Sequence, residues 1–166
     1  MPPHTADITA LLRALVEHEV DFIVVGGVCA VLHGAPVSTF DLDIVPERSK
    51  ANVDRLIRAL VSLDAVHRDL AGRSIAPDAA RLLGPGHNLL MTTSGPLDVL
   101  GEIGAHRDYA KLVPRSHAVD VGIQAPIRVL DMDALIETKR EAGRPKDLAT
   151  LPVLERTLAE SKRPED

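Results

Sequence analysis

The sequence contains few aromatic residues and little cysteine. Among its 166 residues there are no Trp, one Tyr and two Phe. Because binding platforms for unpaired bases are built from aromatic rings, this scarcity argues against recognition of single-stranded nucleic acid by stacking. The lone cysteine, Cys29, cannot form a disulfide within the chain, which fits a reducing cytoplasm.

Long apolar runs and an excess of positive charge are also absent. No run approaches the roughly 20 apolar residues that span a bilayer, and the first residues lack the pattern of a secretory signal. We therefore expect a cytoplasmic protein with no membrane partner. The 19 basic and 24 acidic residues give a net charge of −5, which argues against a surface coated for a polyanion but allows a local basic patch.

The sequence does contain enough apolar side chains, 45% of its residues, to build one core. Its length suits a single domain, expected over 1–162, with a frayed tail at 163–166. Apolar periodicity predicts helices at 7–18, 28–33, 50–63, 133–142 and 147–162, and strands at 22–25, 41–45, 88–93, 96–103, 117–121 and 126–130. Residues 64–87 show no clear periodic pattern, and one helical turn is predicted there at 78–83.

The order of these elements indicates the fold class. Helices and strands alternate early in the chain, and hairpins follow. This order predicts an α+β, or mixed α/β, domain in which helices flank a mixed twisted sheet and a short helical segment lies at the C-terminal end.

Two acids stand out in the second predicted strand. Asp41 and Asp43 are two residues apart, so their carboxylates project from one face while Leu42 and Ile44 point into the core. Carboxylates at this spacing repel unless a cation lies between them, and Mg²⁺ prefers such oxygen ligands. The alternative interpretation is a pair of exposed acids on an edge strand.

A glycine pair, Gly26 and Gly27, follows the first predicted strand and opens a short helix. Such a turn presents backbone N–H groups that can bind phosphate, although a plain turn explains the same residues. The pattern matches neither the P-loop nor the dinucleotide-binding glycine motif. Combined with the acid pair, it indicates a site for a nucleoside triphosphate.

The two motifs together resemble the signature of the nucleotidyltransferase superfamily, the polymerase-β-like fold. Thirteen residues separate Gly26-Gly27, which is often Gly-Ser in members, from Asp41-Leu42-Asp43. The Gly-Gly form, His33-Gly34 and the run from Thr39 to Ile44 resemble the AbiEii-type toxin branch. The resemblance extends through 96–102 and 139–148, and so covers about residues 20–155.

This resemblance implies a reaction and its residues. Asp41, Asp43 and a third carboxylate, Asp98, would hold two Mg²⁺ ions, with Mn²⁺ as a substitute. The enzyme would transfer a nucleoside monophosphate from an NTP to an acceptor hydroxyl and release pyrophosphate, with Asp98 near the attacking hydroxyl.

The resemblance also implies the residues that contact the nucleotide. These would be Gly26, Gly27, Thr39, Lys139, Arg144 and Lys146. For the basic residues the alternative is a solvated helix end. Relatives commonly carry an arginine two residues before the threonine, where this chain has Val37. A cationic contact to the triphosphate would then be either missing or supplied from elsewhere, for example by Lys139 or Lys146.

Within the superfamily, the branch resemblance favours a toxin-like enzyme of a bacterial toxin–antitoxin or defence system that acts on tRNA or protein. A cognate antitoxin or self-association would then be expected. Two alternatives stay open: a non-catalytic module that binds nucleotide or a partner, and a nucleotidyltransferase for a small molecule such as an antibiotic. The short C-terminal helical segment weighs against the second alternative.

Two further residues have ordinary structural interpretations. Cys29 falls in an apolar stretch and is expected in the core. His33, beside a Gly-Ala-Pro turn, would either line the site or make a structural hydrogen bond.

Overall fold

The computed structural model describes residues 5–69 and 71–164, which form one mixed sheet with helices packed against it. The helices in this part of the chain are α1 (Ile8–Glu17), α2 (Gly26–Leu32), α3 (Lys50–Ser62), α4 (Ala79–Leu82), α5 (Tyr109–Leu112), α6 (Met132–Ala142) and α7 (Pro145–Ser161), with a 3₁₀ turn at Val113–Arg115. The strands are β1 (Phe22–Val25), β2 (Leu42–Pro46), β3 (Val66–His67), β4 (His87–Thr92), β5 (Gly95–Leu100), β6 (Ser116–Val119) and β7 (Ile127–Leu130).

The strand order across the sheet is β3-β4-β5-β2-β1-β7-β6. β2 runs parallel to β5 and β1 runs parallel to β7, whereas the other neighbours are antiparallel. The β4–β5 and β6–β7 pairs are the two predicted hairpins. The mixed sheet confirms the predicted fold class.

Apolar stripes and side-chain caps explain the two long early helices. In α1, Leu11 and Leu15 are fully buried, and the Asp7 carboxylate accepts a hydrogen bond from the Ala10 N–H at 3.1 Å. In α3, Leu56 is fully buried in the same way. Burying each such leucine contributes about 1.5–3 kcal/mol, so these helices are held mainly by the core beneath them.

Several element boundaries differ from the sequence-based expectation. Helix α2 begins at Gly26 rather than 28, α7 begins at Pro145 rather than 147, and Asp41 lies just before β2. The strand β3 and the helix α5 were not expected, because β3 is only two residues long and its pairing with β4 is a long-range contact.

The chain ends and its helices bear on two further expectations. In the tail expected at 163–166, residues 165 and 166 lie outside the described residues. Throughout 5–69 and 71–164, every helix is too short or too polar to cross a bilayer.

Candidate active site

The parallel pairing of β2 with β5 brings three predicted acids together. Asp43 lies opposite Asp98 in this pairing, and Asp41 directly precedes β2. One carboxylate oxygen from each residue lies within 4.8 Å of those of the other two. We call Asp41, Asp43 and Asp98 the acidic cluster. The acids alternate along the chain with the fully buried Leu42 and Leu97, so the carboxylates lie on one face of the sheet.

Burial makes the charges of this cluster costly. It raises the pKa of Asp43 to about 8, and the nearby charges of Asp41 and Asp98 add to that rise. Burial also raises the pKa of Asp98, although the Arg68 guanidinium opposes the rise. Clustered carboxylates of this kind fit a hard divalent cation, because Mg²⁺ and Mn²⁺ prefer carboxylate oxygens.

Both glycines of the glycine pair are required by close contacts. Gly26 has φ +67°, and a Cβ there would lie 2.0 Å from Asp43 Oδ2. A Cβ on Gly27 would lie 2.7 Å from Thr39 Oγ1, so a side chain at this position would require Thr39 to move. The Thr39 hydroxyl donates to the carbonyl of Asp41 at 3.0 Å. The start of α2 therefore packs directly against the acids and against the segment that leads into them.

A buried acid, Asp147, organises the basic residues of the site. Its carboxylate is 2.7 Å from Arg144 Nε and 3.6 Å from Lys139 Nζ. Burial alone would raise the pKa of Asp147, but the hydrogen bond from Arg144 and the charges of both cations hold it below its usual range. The Lys139 side chain is 20% exposed and that of Arg144 is 69% exposed. Lys146 is exposed in the first turn of α7.

The predicted site residues line two adjoining cavities. We call the first, of about 370 Å³, the carboxylate cleft; eight of the nine predicted residues line it, namely Gly27, Thr39, Asp41, Asp43, Asp98, Lys139, Arg144 and Lys146. The ninth, Gly26, lines a second cavity of about 460 Å³ between α6 and the segments around 85–87 and 102–106. Asp43 and Lys139 line both cavities. The residues selected from the sequence are therefore gathered in one region.

One residue of this region was missed by the sequence analysis. Arg68 Nη2 lies 2.5 Å from Asp98 Oδ1. Val37 lines the carboxylate cleft, so that position contributes no charge there. The segment 64–87 gave no periodic pattern, and no motif pointed to Arg68. Its place depends on the pairing of β3 with β4, which local sequence does not encode.

Cys29 and His33 both serve the packing of α2. The buried Cys29 thiol donates to the carbonyl of Leu130 at 3.1 Å, and burial raises its pKa to about 12. The His33 ring nitrogen Nε2 is 2.8 Å from the same carbonyl oxygen. The expectation that Cys29 belongs to the core is confirmed. For His33, the structure shows the hydrogen bond, and the ring is not among the side chains that line either cavity.

No family model matches the sequence, and no curated protein matches it. Solved structures do match. TM1012, a candidate nucleotidyltransferase from Thermotoga maritima, has a TM-score of 0.56 at 17% identity, over 92% of this chain and 91% of that chain. The antibiotic-resistance factor ANT(2″)-Ia has a TM-score of 0.58 at 14% identity, over 93% of this chain and 84% of that chain. The chain therefore has the nucleotidyltransferase fold.

Proposed function

We propose that this protein is a divalent-metal-dependent nucleotidyltransferase. It would transfer a nucleoside monophosphate from an NTP to an acceptor hydroxyl and release pyrophosphate. The observation that carries the proposal is the acidic cluster, placed on adjacent strands beside the Gly26-Gly27 turn in a nucleotidyltransferase fold. The fold alone does not define an activity, whereas the position of these side chains in the cleft supports this one.

The donor set fits the metal that this reaction needs. All three members of the acidic cluster supply carboxylate oxygens, and Asp98 is only 9% exposed. Mg²⁺ or Mn²⁺ bound there would neutralise the triphosphate and the charge that develops during transfer. Without such a cation, the cluster and a triphosphate would repel each other strongly.

The chain's own residues would position the two reactants. Lys139 would contact the phosphates from α6, where Asp147 holds its ammonium group at the edge of the cleft. The backbone N–H groups at Gly26 and Gly27, at the start of α2, would donate hydrogen bonds to the phosphates. Asp98 would accept the proton of the acceptor hydroxyl while the hydroxyl oxygen attacks the α-phosphorus. The bond to the β-phosphate would then break, and pyrophosphate would carry away the electron pair.

For the acceptor, we propose tRNA or protein, in a cytoplasmic toxin-like enzyme with a cognate antitoxin or a second copy as partner. This choice rests on the resemblance of His33-Gly34 and of 39–44 to AbiEii-type toxins. A small antibiotic is the second candidate. It is favoured by the similarity to the antibiotic-resistance factor ANT(2″)-Ia, 84% of whose chain is matched, so the short C-terminal segment argues less strongly against it.

Label transfer tests both the reaction and the acceptor. The protein is incubated with Mg²⁺ or Mn²⁺ and each α-labelled NTP, in separate reactions with total tRNA, cell protein or an aminoglycoside. We expect label on one acceptor and release of pyrophosphate. Asp98→Asn should reduce the rate at least about 100-fold, because preorganised charge and proton acceptance are each worth that much or more.

The matched control is Asp133→Asn, which changes an exposed acid of α6 that pairs with Arg115 at 3.6 Å. This variant should transfer label at a nearly unchanged rate. If all acceptors stay unlabelled with every NTP while nucleotide still binds, the non-catalytic alternative replaces our proposal. An acceptor labelled equally well by wild type and Asp98→Asn would contradict the assigned role of Asp98.

A further inference from the structure

Arg68 approaches the acidic cluster from two strands away. It follows β3, and its backbone N–H donates to the carbonyl of Leu89 in β4 at 2.9 Å. Leu89 lies opposite Asp98 in the β4–β5 pairing. Residues opposite one another in antiparallel strands project from the same face of the sheet. The backbone therefore places Arg68 on the face that carries the carboxylates, with its side chain reaching past Leu89.

The contact of Arg68 with Asp98 is short and largely shielded from solvent. The distance from Nη2 to Oδ1 is 2.5 Å, and the two side chains are 31% and 12% exposed. Across residues 5–69 and 71–164, Asp98 is the member of the acidic cluster that forms an ion pair. One guanidinium thus offsets one of three carboxylates, and the cluster keeps an excess of negative charge.

A divalent cation at the cluster would need an oxygen of the same carboxylate. Asp98 contributes one of the three oxygens that lie within 4.8 Å of one another. The Arg68 guanidinium bonds to Oδ1 of that carboxylate, where it occupies an acceptor position and repels a second positive charge nearby. The cation and Arg68 are therefore expected to oppose each other.

We propose that Arg68 is an internal counter-ion that competes with a divalent cation for Asp98 and so sets the affinity of the acidic cluster for that cation. This inference rests on the proposed metal-dependent function. Arg68 is a positioning residue in this scheme: it holds Asp98 in place without a cation and yields the carboxylate when a cation binds.

Binding of Mn²⁺ to the whole protein without nucleotide tests the proposal. Free Mn²⁺ is measured by electron paramagnetic resonance during titration. Arg68→Gln should bind Mn²⁺ about tenfold more tightly than wild type, because a charge-assisted hydrogen bond no longer competes. Arg68→Lys keeps the charge but lacks the planar fork, and should bind with intermediate affinity. Unchanged or weaker binding by Arg68→Gln would overturn the proposal.

Arg73→Gln is the matched control. It removes an arginine from the same segment, but one that lies 2.6 Å from Asp69 rather than at the cluster. Its affinity for Mn²⁺ should stay within about twofold of wild type, because exposed charges act weakly at a distance. At about 1 M salt, where the Debye length is about 3 Å, the gain in Arg68→Gln should persist. A gain that disappears at high salt would point to long-range charge instead and would contradict competition at Asp98.

Chemical modification of arginine gives a second readout. A dicarbonyl reagent followed by peptide mapping should modify Arg68 faster in the presence of Mn²⁺, because the guanidinium has left Asp98. Modification of Arg73 should not change. Equal rates at Arg68 with and without Mn²⁺ would overturn the proposal.

The Mn²⁺ titrations also separate this inference from the proposed function. If neither wild type nor Arg68→Gln binds Mn²⁺, the metal site and the inference fail together. If wild type binds Mn²⁺, Asp98→Asn does not, and Arg68→Gln binds as wild type does, only the inference fails.

Discussion

Two groups of charged side chains in this molecule differ in their balance. The acidic cluster places three carboxylates beside one arginine. A second group joins helix α6 to the segment that follows β5, and we call it the balanced cluster: Arg107, Arg115, Glu137 and Glu141. Its two arginines and two glutamates match in number, and Asp133 lies at its edge, 3.6 Å from Arg115. Comparing the two clusters therefore shows how the pKa of an acid responds when cations are paired with it and when they are not.

Complementary pairing is nearly complete in the balanced cluster. Arg107 is 2.6 Å from Glu137 and 2.8 Å from Glu141, and Arg115 also bonds to Glu137. The hydrogen bond from Arg115 is the main reason that the pKa of Glu137 lies below its ordinary value. Asp43 shows the opposite shift, to about 8, because burial and neighbouring acids disfavour its charge.

This difference fits a structural role for the balanced cluster and the proposed metal-binding role for the acidic cluster. Ion pairs that satisfy one another fix a loop on a helix and need nothing further. Carboxylates that crowd together without enough cations destabilise the fold, which is consistent with the cation site proposed above for the acidic cluster. Helix α6 borders both clusters, since it carries Glu137 and Glu141 of the balanced cluster and also Lys139, which lines the carboxylate cleft beside the acidic cluster.

The pH dependence of stability should separate the two clusters most clearly. The pKa of Asp43 is about 8 in the folded protein against an ordinary 3.8. Its effect therefore favours the folded state of the metal-free protein fully below about pH 4, and this stabilisation is lost as the pH rises through about 8. At about 1.4 kcal/mol per unit of pKa, we expect a loss on the order of 5 kcal/mol across this range. Urea unfolding at several pH values measures it, and saturating Mn²⁺ should reduce it. Stability that rises steadily from pH 4 to 8 without metal would contradict this origin.

Neutralising one acid in each cluster should change stability in opposite directions. Asp43→Asn removes a charge that burial and repulsion disfavour, so at pH 7 it should stabilise the metal-free protein by on the order of 2 kcal/mol, or raise the melting temperature by about 5 °C. Glu137→Gln removes a bonded partner of two arginines and should lower the melting temperature. Shifts of the same sign in both variants would mean that the clusters do not differ as described.

A smaller effect tests the close packing of α2 against the acidic cluster. Gly26→Ala introduces a Cβ 2.0 Å from Asp43 Oδ2 and strains a residue at φ +67°. Gly122→Ala is the control, since its φ is +79° and nothing lies within 4 Å of the added Cβ. Both variants share the strain of a left-handed residue, so Gly26→Ala should be destabilised by about 1 kcal/mol more than the control. Equal losses in denaturant unfolding would show that Asp43 moves aside freely.

Local sequence was sufficient for most helices and for the acids themselves. The stripe in α1, the Ser49 cap of α3 and the alternation of acids with Leu42 and Ile44 all act over a few residues. Periodicity therefore predicted these elements to within a few residues. The short β3 and α5 were missed because elements of two to four residues carry too little pattern to identify.

What the sequence by itself determined is the set of acids, the glycine turn and the class of fold that joins them. Only the tertiary structure decided that Asp98 lies opposite Asp43, that Asp147 holds both Lys139 and Arg144, and that Arg68 reaches the acidic cluster. The reason is physical: periodicity arises from neighbours along the chain, whereas strand register and ion pairs arise from contacts between segments far apart in sequence.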